Sequence, residues 1–185
     1  MSWQLRHAAR IVHNGGIIAY PTEAVYGIGC LPNDYLAVER LLAIKQRDIN
    51  KGLILIAADF NQLAPYVDEL SKSIYRKIGK SWPGPTTWLL PKAEHTPPWL
   101  CGKHDKIAVR VTAHPIAADL CRSCGSALVS TSANIDSRAP ARNSLSVRRK
   151  LAGIDKIIHG ATGGLAQPST IIDALSDKVI RAKKT

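Results

Sequence analysis

Between Gly52 and Asp59 every residue is apolar: Leu53-Ile54-Leu55-Ile56-Ala57-Ala58. Without polar alternation such a run has no face to give to water, and it is read as a buried strand. The flanking sequence supplies helices to cover it. Over residues 3–13, Trp3, Ala8, Ile11 and Val12 fall on or near one helical face, and Asn14-Gly15-Gly16 stops the helix. Asp34 reads as the N-cap of a helix over 34–46 with Leu36, Val38, Leu41, Leu42 and Ile44 apolar. Further helices are expected over 61–66, 70–79, 114–124, with Pro115 in the first turn, and 144–152. Strands are expected over 17–20, 86–91 and 107–111, from 127 into a polar turn ending at Asn134, and near 156–159, 170–174 and 178–182. Pro83-Gly84-Pro85 is a stiff turn, and 135–144 is the most loop-like stretch. The pattern is mixed α/β in one domain over 1–185. Several strands lie close enough in sequence for antiparallel pairing, so a doubly wound sheet is not expected and strand order stays open.

Twenty-five Lys and Arg against fourteen Asp and Glu leave a net charge of +11, which favours an anionic partner such as a nucleotide or nucleic acid. No apolar run reaches the ~20 residues needed to cross a bilayer. The N-terminal segment lacks the uninterrupted apolar stretch of a signal peptide, so a cytoplasmic protein without a membrane partner is expected. Cys30, Cys101, Cys121 and Cys124 are read as reduced thiols. Cys121 and Cys124 form C-x-x-C, but two ligands on one helix with no second pair do not close a tetrahedral site, and no metal site is expected.

The chain has no G-x-S-x-G elbow, no H-E-x-x-H pair, no G-x-x-x-x-G-K-[ST] loop and no G-x-G-x-x-G. It has instead polar residues where strands begin and end: Thr22 and Glu23; Lys45, Arg47 and Lys51; Arg110; Ser130, Thr131, Ser132 and Asn134; Ser169 and Thr170. Ligands of open α/β sheets gather at strand ends, and arginine, lysine and hydroxyl groups together suit a multiply charged anion. Lys45 and Arg47 sit near a helix end and are expected outside the core. His104 and His114 flank strand 107–111, within reach of such a site. In AYPTEAVYGIGC, residues 19–30, Pro21 is expected to end a strand and present Thr22. Gly27 and Gly29 would then admit a ligand to the backbone, and Glu23 would position a lysine or an ammonium group.

AYPTEAVYGIGC, LLAIKQR…KGLILIA, WPGPTT, IAVRV…HP, STSAN and PSTIID occur in the order found in the YrdC/TsaC family, which the chain resembles from about residue 8 to 182. The resemblance implies a single-domain YrdC-like twisted mixed sheet with flanking helices. It implies an L-threonylcarbamoyladenylate synthase, a nucleotidyltransferase making threonylcarbamoyl-AMP and pyrophosphate from L-threonine, bicarbonate and ATP. Mg²⁺ is then carried by ATP, and downstream proteins move the threonylcarbamoyl group to tRNA in t6A biosynthesis. The family's K-x-R and S-x-N pattern falls on Lys45, Arg47, Ser132 and Asn134 as catalytic residues. Thr22, Arg110 and Ser169 are implied to meet threonine, and Arg47, Lys51, Ser132, Arg142 and Arg181 to meet ATP. Two departures stand out. Asp48 replaces the usual proline after K-x-R, either drawing Arg47 aside or sitting in solvent, and Ile135–Pro140 lacks the usual glycine. Arg138, Arg142, Arg148, Arg149, Lys150, Arg181, Lys183 and Lys184 form a basic set suited to weak, sequence-tolerant contact with tRNA or duplex RNA. The rival readings are an RNA-binding module without catalysis and a different small-molecule enzyme on the same fold.

Overall fold

A computed structural model describes residues 2–182; Lys183 and Lys184 lie outside that range. The chain forms α1 (Trp3–His13), β1 (Ile18–Pro21), β2 (Tyr26–Gly29), α2 (Tyr35–Lys45), β3 (Ile54–Ala57), α3 (Lys72–Gly79), β4 (Thr86–Pro91) and α4 (Pro98–Cys101). There follow β5 (Lys106–Val111), α5 (Pro115–Cys124), β6 (Leu128–Ser132), α6 (Ser144–Lys150), β7 (Lys156–Ile157), β8 (Thr170–Asp173) and β9 (Val179–Arg181). The strands join in one mixed sheet of order β7-β1-β2-β6-β3-β5-β4-β8-β9. β1–β7, β3–β5 and β4–β8 are parallel and the other pairs antiparallel.

The apolar run that opened the sequence reading is β3, near the middle of this order, and Leu55, Ile56 and Ala57 are fully buried. Successive residues feed opposite layers, as the two-residue period of a strand requires. Leu55 and Ala57 pack in the larger core with α2, α3 and α4. Ile56 packs in the smaller core, beneath Leu5, Ala8 and Val12 of α1 and Ala117, Leu120 and Cys121 of α5. Helix starts follow their caps: the Asp34 side chain accepts from the Ala37 amide at 3.0 Å, and the Asn143 side chain from that of Ser146 at 2.8 Å.

Several expectations need correction. Residues 26–29, read as loop, are β2; Pro21, as expected, is the last residue of β1, where it pairs with Tyr26. Two glycines in four residues mask β2 in the sequence. Their reason is steric: a Cβ at position 29 would stand 2.1 Å from the Val129 carbonyl oxygen. The expected helix over 61–66 is two 3₁₀ turns, Phe60–Gln62 and Ala64–Tyr66, and α4 had no counterpart in the sequence reading. Strand 156–159 shortens to Lys156–Ile157.

These contacts set a steric test. Gly29→Ala should destabilise the protein by about 1–3 kcal/mol or more, because the neighbouring strand must shift. Gly79→Ala, exposed at the end of α3 with nothing within 4 Å of the added carbon, should be neutral or stabilising by up to about 1 kcal/mol. Urea unfolding of both variants decides; equal stability for the two would contradict the close packing of β2 on β6.

Candidate active site

A cavity of about 670 Å³ opens where the β1–β2 turn, the segment after α2, β5, the end of β6 and the 165–173 segment meet. Of the residues singled out from the sequence, Thr22, Arg47, Lys51, Arg110, Ser132, Asn134, Ser169 and Arg181 line it. Lys45 and Arg142 do not.

Lys45, expected outside the core, is only 1% exposed. It is the last residue of α2, and its Nζ donates to the Ser132 carbonyl at 2.6 Å, the Asn134 carbonyl at 2.8 Å and Asn134 Oδ1 at 3.3 Å. Burial, then repulsion from Arg47, brings its pKa down to about 8 against the opposing pull of Asp136. The Ser132 hydroxyl donates to Asn134 Oδ1 at 2.5 Å, and Asn134 Nδ2 donates to the carbonyls of Ile135 and Arg138. The S-x-N turn is therefore held from beneath by an ammonium group.

After Lys45 the backbone turns through Gln46 in the left-handed region, φ 51°, and the Arg47 amide closes the helix on the Leu42 carbonyl. The turn sends Arg47 to the cavity wall, where its Nη2 donates to the Gly52 carbonyl at 3.0 Å and its Nε is buried without a partner. Asp48 does not reach Arg47. It caps the following 3₁₀ turn by accepting from the Asn50 amide, and Asp136 is the carboxylate beside Arg47 and Lys51.

Glu23 positions an arginine, not a lysine. Its carboxylate takes Arg110 Nη1 on one oxygen, and on the other the Thr112 hydroxyl at 2.7 Å and the Ala113 amide at 3.0 Å. Burial alone would raise its pKa, but the Arg110 guanidinium and the Thr112 hydroxyl outweigh it and hold the carboxyl below its ordinary value. Arg110 lies within β5 beside Ile56, so this pair fastens the β1–β2 turn to the middle of the sheet. The Thr22 hydroxyl closes its own turn on the Val25 carbonyl at 2.7 Å.

Opposite, Arg181 of β9 donates twice to the Ser169 carbonyl and once to its hydroxyl, which also bonds Thr87. Desolvation and then repulsion from Arg110 and Arg47 lower the Arg181 pKa, so three guanidinium groups sense one another across the cavity. Ser130, Lys103, Lys106 and Arg138 also line the cavity. Ser130 was marked as a strand-end hydroxyl. His104, expected within reach of the site, lines it too, whereas Lys103 in the turn before β5 and Lys106 at its start carried no local signal. His114 faces away, its Nε2 against the Ala161 carbonyl. Arg142 donates to the Ala166 carbonyl at 2.7 Å, tying down the segment that carries Gln167 and Ser169. Cys121 and Cys124 are buried free thiols, and among the described residues no cluster of three or more His, Cys, Asp or Glu is arranged to hold a metal. No helix among those residues is long and apolar enough to cross a membrane.

A family model for Sua5, YciO and YrdC, described as telomere recombination, matches residues 10–183. A threonylcarbamoyl-AMP synthase of Nitrosococcus oceani is 52% identical over 181 residues, covering 97% of this chain and 98% of that protein. One from Klebsiella pneumoniae is 48% identical over 177 residues, covering 95% and 93%. Among solved structures, P. abyssi Sua5 complexed with L-threonine aligns with a TM-score of 0.87 at 35% identity over 92% of this chain. The chain spans about half of that structure, 51%. E. coli YciO aligns with a TM-score of 0.84 at 30% identity, covering 96% of this chain and 87% of its own.

The Glu23–Arg110 pair yields a stability prediction. Because folding lowers the Glu23 pKa, its contribution is present above the ordinary carboxylate value and is lost as pH falls through the lower folded value. Glu23→Gln should therefore lose about 3 kcal/mol at pH 7, where Arg110 is left buried beside a neutral amide. The gap from wild type should narrow towards pH 3. Denaturant unfolding across that range tests it, and a gap independent of pH would contradict the assignment.

Proposed function

Because the chain belongs to the Sua5/YciO/YrdC family, we infer that it is an enzyme making threonylcarbamoyl-AMP for tRNA modification. The observation that carries this is the cavity itself, in which Arg47, Lys51 and Arg181 face the Glu23–Arg110 pair on a chain half identical to synthases of that name. The reaction it suits is a nucleotidyl transfer. The threonine amine takes up bicarbonate, with loss of water, as a carbamate. A carbamate oxygen then attacks the α-phosphorus of ATP, and pyrophosphate leaves with the electron pair of the broken P–O bond.

Negative charge gathers on the phosphoryl oxygens as that bond breaks, and prepositioned cations stabilise it without reorganising. Arg47 and Lys51 suit the triphosphate, joined by Arg181, which also holds Ser169 in place. Arg110, fixed by Glu23, and Ser169 suit the threonine carboxylate and hydroxyl, with Thr22 shaping the turn above them. Ser132 and Asn134 line the cavity as polar partners for the nucleotide, and Lys45 acts on them as a positioning residue from below. Arg142, implied as an ATP contact, supports the same wall through Ala166. Mg²⁺ enters on the triphosphate, as part of the substrate. A reaction that uses ATP and serves tRNA suits the cytoplasm, where partner proteins would take the product onward. The exposed Arg148-Arg149-Lys150 triplet of α6 supports weak tRNA contact through phosphates.

Pyrophosphate release should require ATP, threonine and bicarbonate together. Arg47→Ala should cut kcat/KM by about 10²-fold, the usual cost of one charge-stabilising donor. Release that persists without threonine, or full turnover in Arg47→Ala, would refute the reading.

A further inference from the structure

Arg47 and Lys51, which both line the cavity, share one carboxylate. The Asp136 carboxylate lies between them, Oδ2 at 2.5 Å from Lys51 Nζ and Oδ1 at 3.6 Å from Arg47 Nη1. The second distance is an ion pair and too long for a hydrogen bond. The Arg47 fork is thus incompletely used: Nη2 is committed to Gly52, Nη1 meets Asp136 loosely, and Nε is buried with no acceptor. The Lys51 hydrogen bond leads the interactions that hold the Asp136 carboxyl below its ordinary pKa, so it is an anion at neutral pH. The backbone of Asp136 is anchored separately, its amide donating to the Lys45 carbonyl at 2.8 Å. Rotation of the side chain away from the two cations would therefore leave this backbone anchor intact.

We propose that Asp136 is an internal counter-anion, a carboxylate that occupies the phosphate position between Arg47 and Lys51 and is displaced when a polyphosphate binds. This rests on the reading of the cavity as an ATP site and adds a residue that sets its affinity. A phosphoryl group offers three oxygens where the carboxylate offers two, and so can use the idle Arg47 Nε as well. Until displaced, Asp136 keeps two cations 49% and 23% exposed from repelling each other unneutralised. Its cost is borne by the incoming ligand. Asp136 must first vacate the position, so only the displaced fraction is competent to bind, which lowers apparent affinity for anything carrying phosphate while leaving the threonine end untouched. Two partly exposed ion pairs are together worth roughly a threefold to tenfold effect on affinity.

The test is calorimetric titration of the full chain with Mg–ATP, with inorganic pyrophosphate and with L-threonine, for wild type, Asp136→Asn and Asp136→Ala. Both variants should bind Mg–ATP and pyrophosphate about 3–10-fold more tightly, with threonine affinity unchanged; a merely structural role predicts weaker binding, never tighter. If wild type binds Mg–ATP but the variants bind it and pyrophosphate equally or more weakly, the counter-anion role is overturned and the ATP site stands. If neither wild type nor the variants bind Mg–ATP or pyrophosphate, the ATP site itself falls, and the inference with it.

Discussion

A buried ammonium group organises this molecule's working end. A lone charge taken out of water is strongly disfavoured unless it is hydrogen-bonded on all sides. Lys45 meets that condition with three oxygens, all from Ser132 and Asn134. Those oxygens belong to Ser132, the last residue of β6, and to Asn134 just beyond it, whereas Lys45 ends α2, so the interaction joins a helix end to a strand end. The Lys45 carbonyl then takes the Asp136 amide, fixing the start of the 135–140 loop from the same residue. Arg47 and Lys51 follow directly in sequence, and where they face is set by where Lys45 is pinned.

The Glu23–Arg110 pair does the corresponding work across the cavity. It neutralises one of the three guanidinium groups and locks it in the sheet, with the remaining carboxylate oxygen taken by Thr112 and Ala113. What is left over includes the charge of Arg181, of Lys103 and Arg138, and of Arg47 and Lys51 held provisionally by Asp136. Two buried knots and one provisional one give an electropositive cavity with fixed walls. That is the arrangement in which a triphosphate gains most from fixed donors.

Much of this was legible. β3 announced itself by continuous apolarity, the helix caps by Asp34 and Asn14-Gly15-Gly16, and the strand-end polar residues by their repetition at places where α/β sheets bind ligands. What escaped has a common cause: it depends on contacts between residues far apart in sequence. β2 is coded by glycines that make room for Val129, about a hundred residues on, and glycine is otherwise a poor sign of a strand. Lys45 looks like any basic residue complementing a helix C-terminus until its partners, 87 and 89 residues away, are seen. Glu23 was recognised as the one acid of its turn, but its partner sits in β5, 87 residues on. Asp136 was visible only as part of an altered loop; its placement between two cations needed the fold.

The central claim is that the lysine acts on the S-x-N turn in the substrate-free protein, not on substrate. A pH titration of the backbone carbonyl ¹³C resonances of Ser132 and Asn134, without ligand, measures this directly. Lys45 loses its proton near pH 8, and with it a donor shared by these two carbonyls. Both resonances should therefore move together with a midpoint of about 8 and stay fixed in Lys45→Met. Carbonyl resonances that do not shift between pH 7 and 9.5 would contradict the account, because the ammonium would then not be what holds the turn.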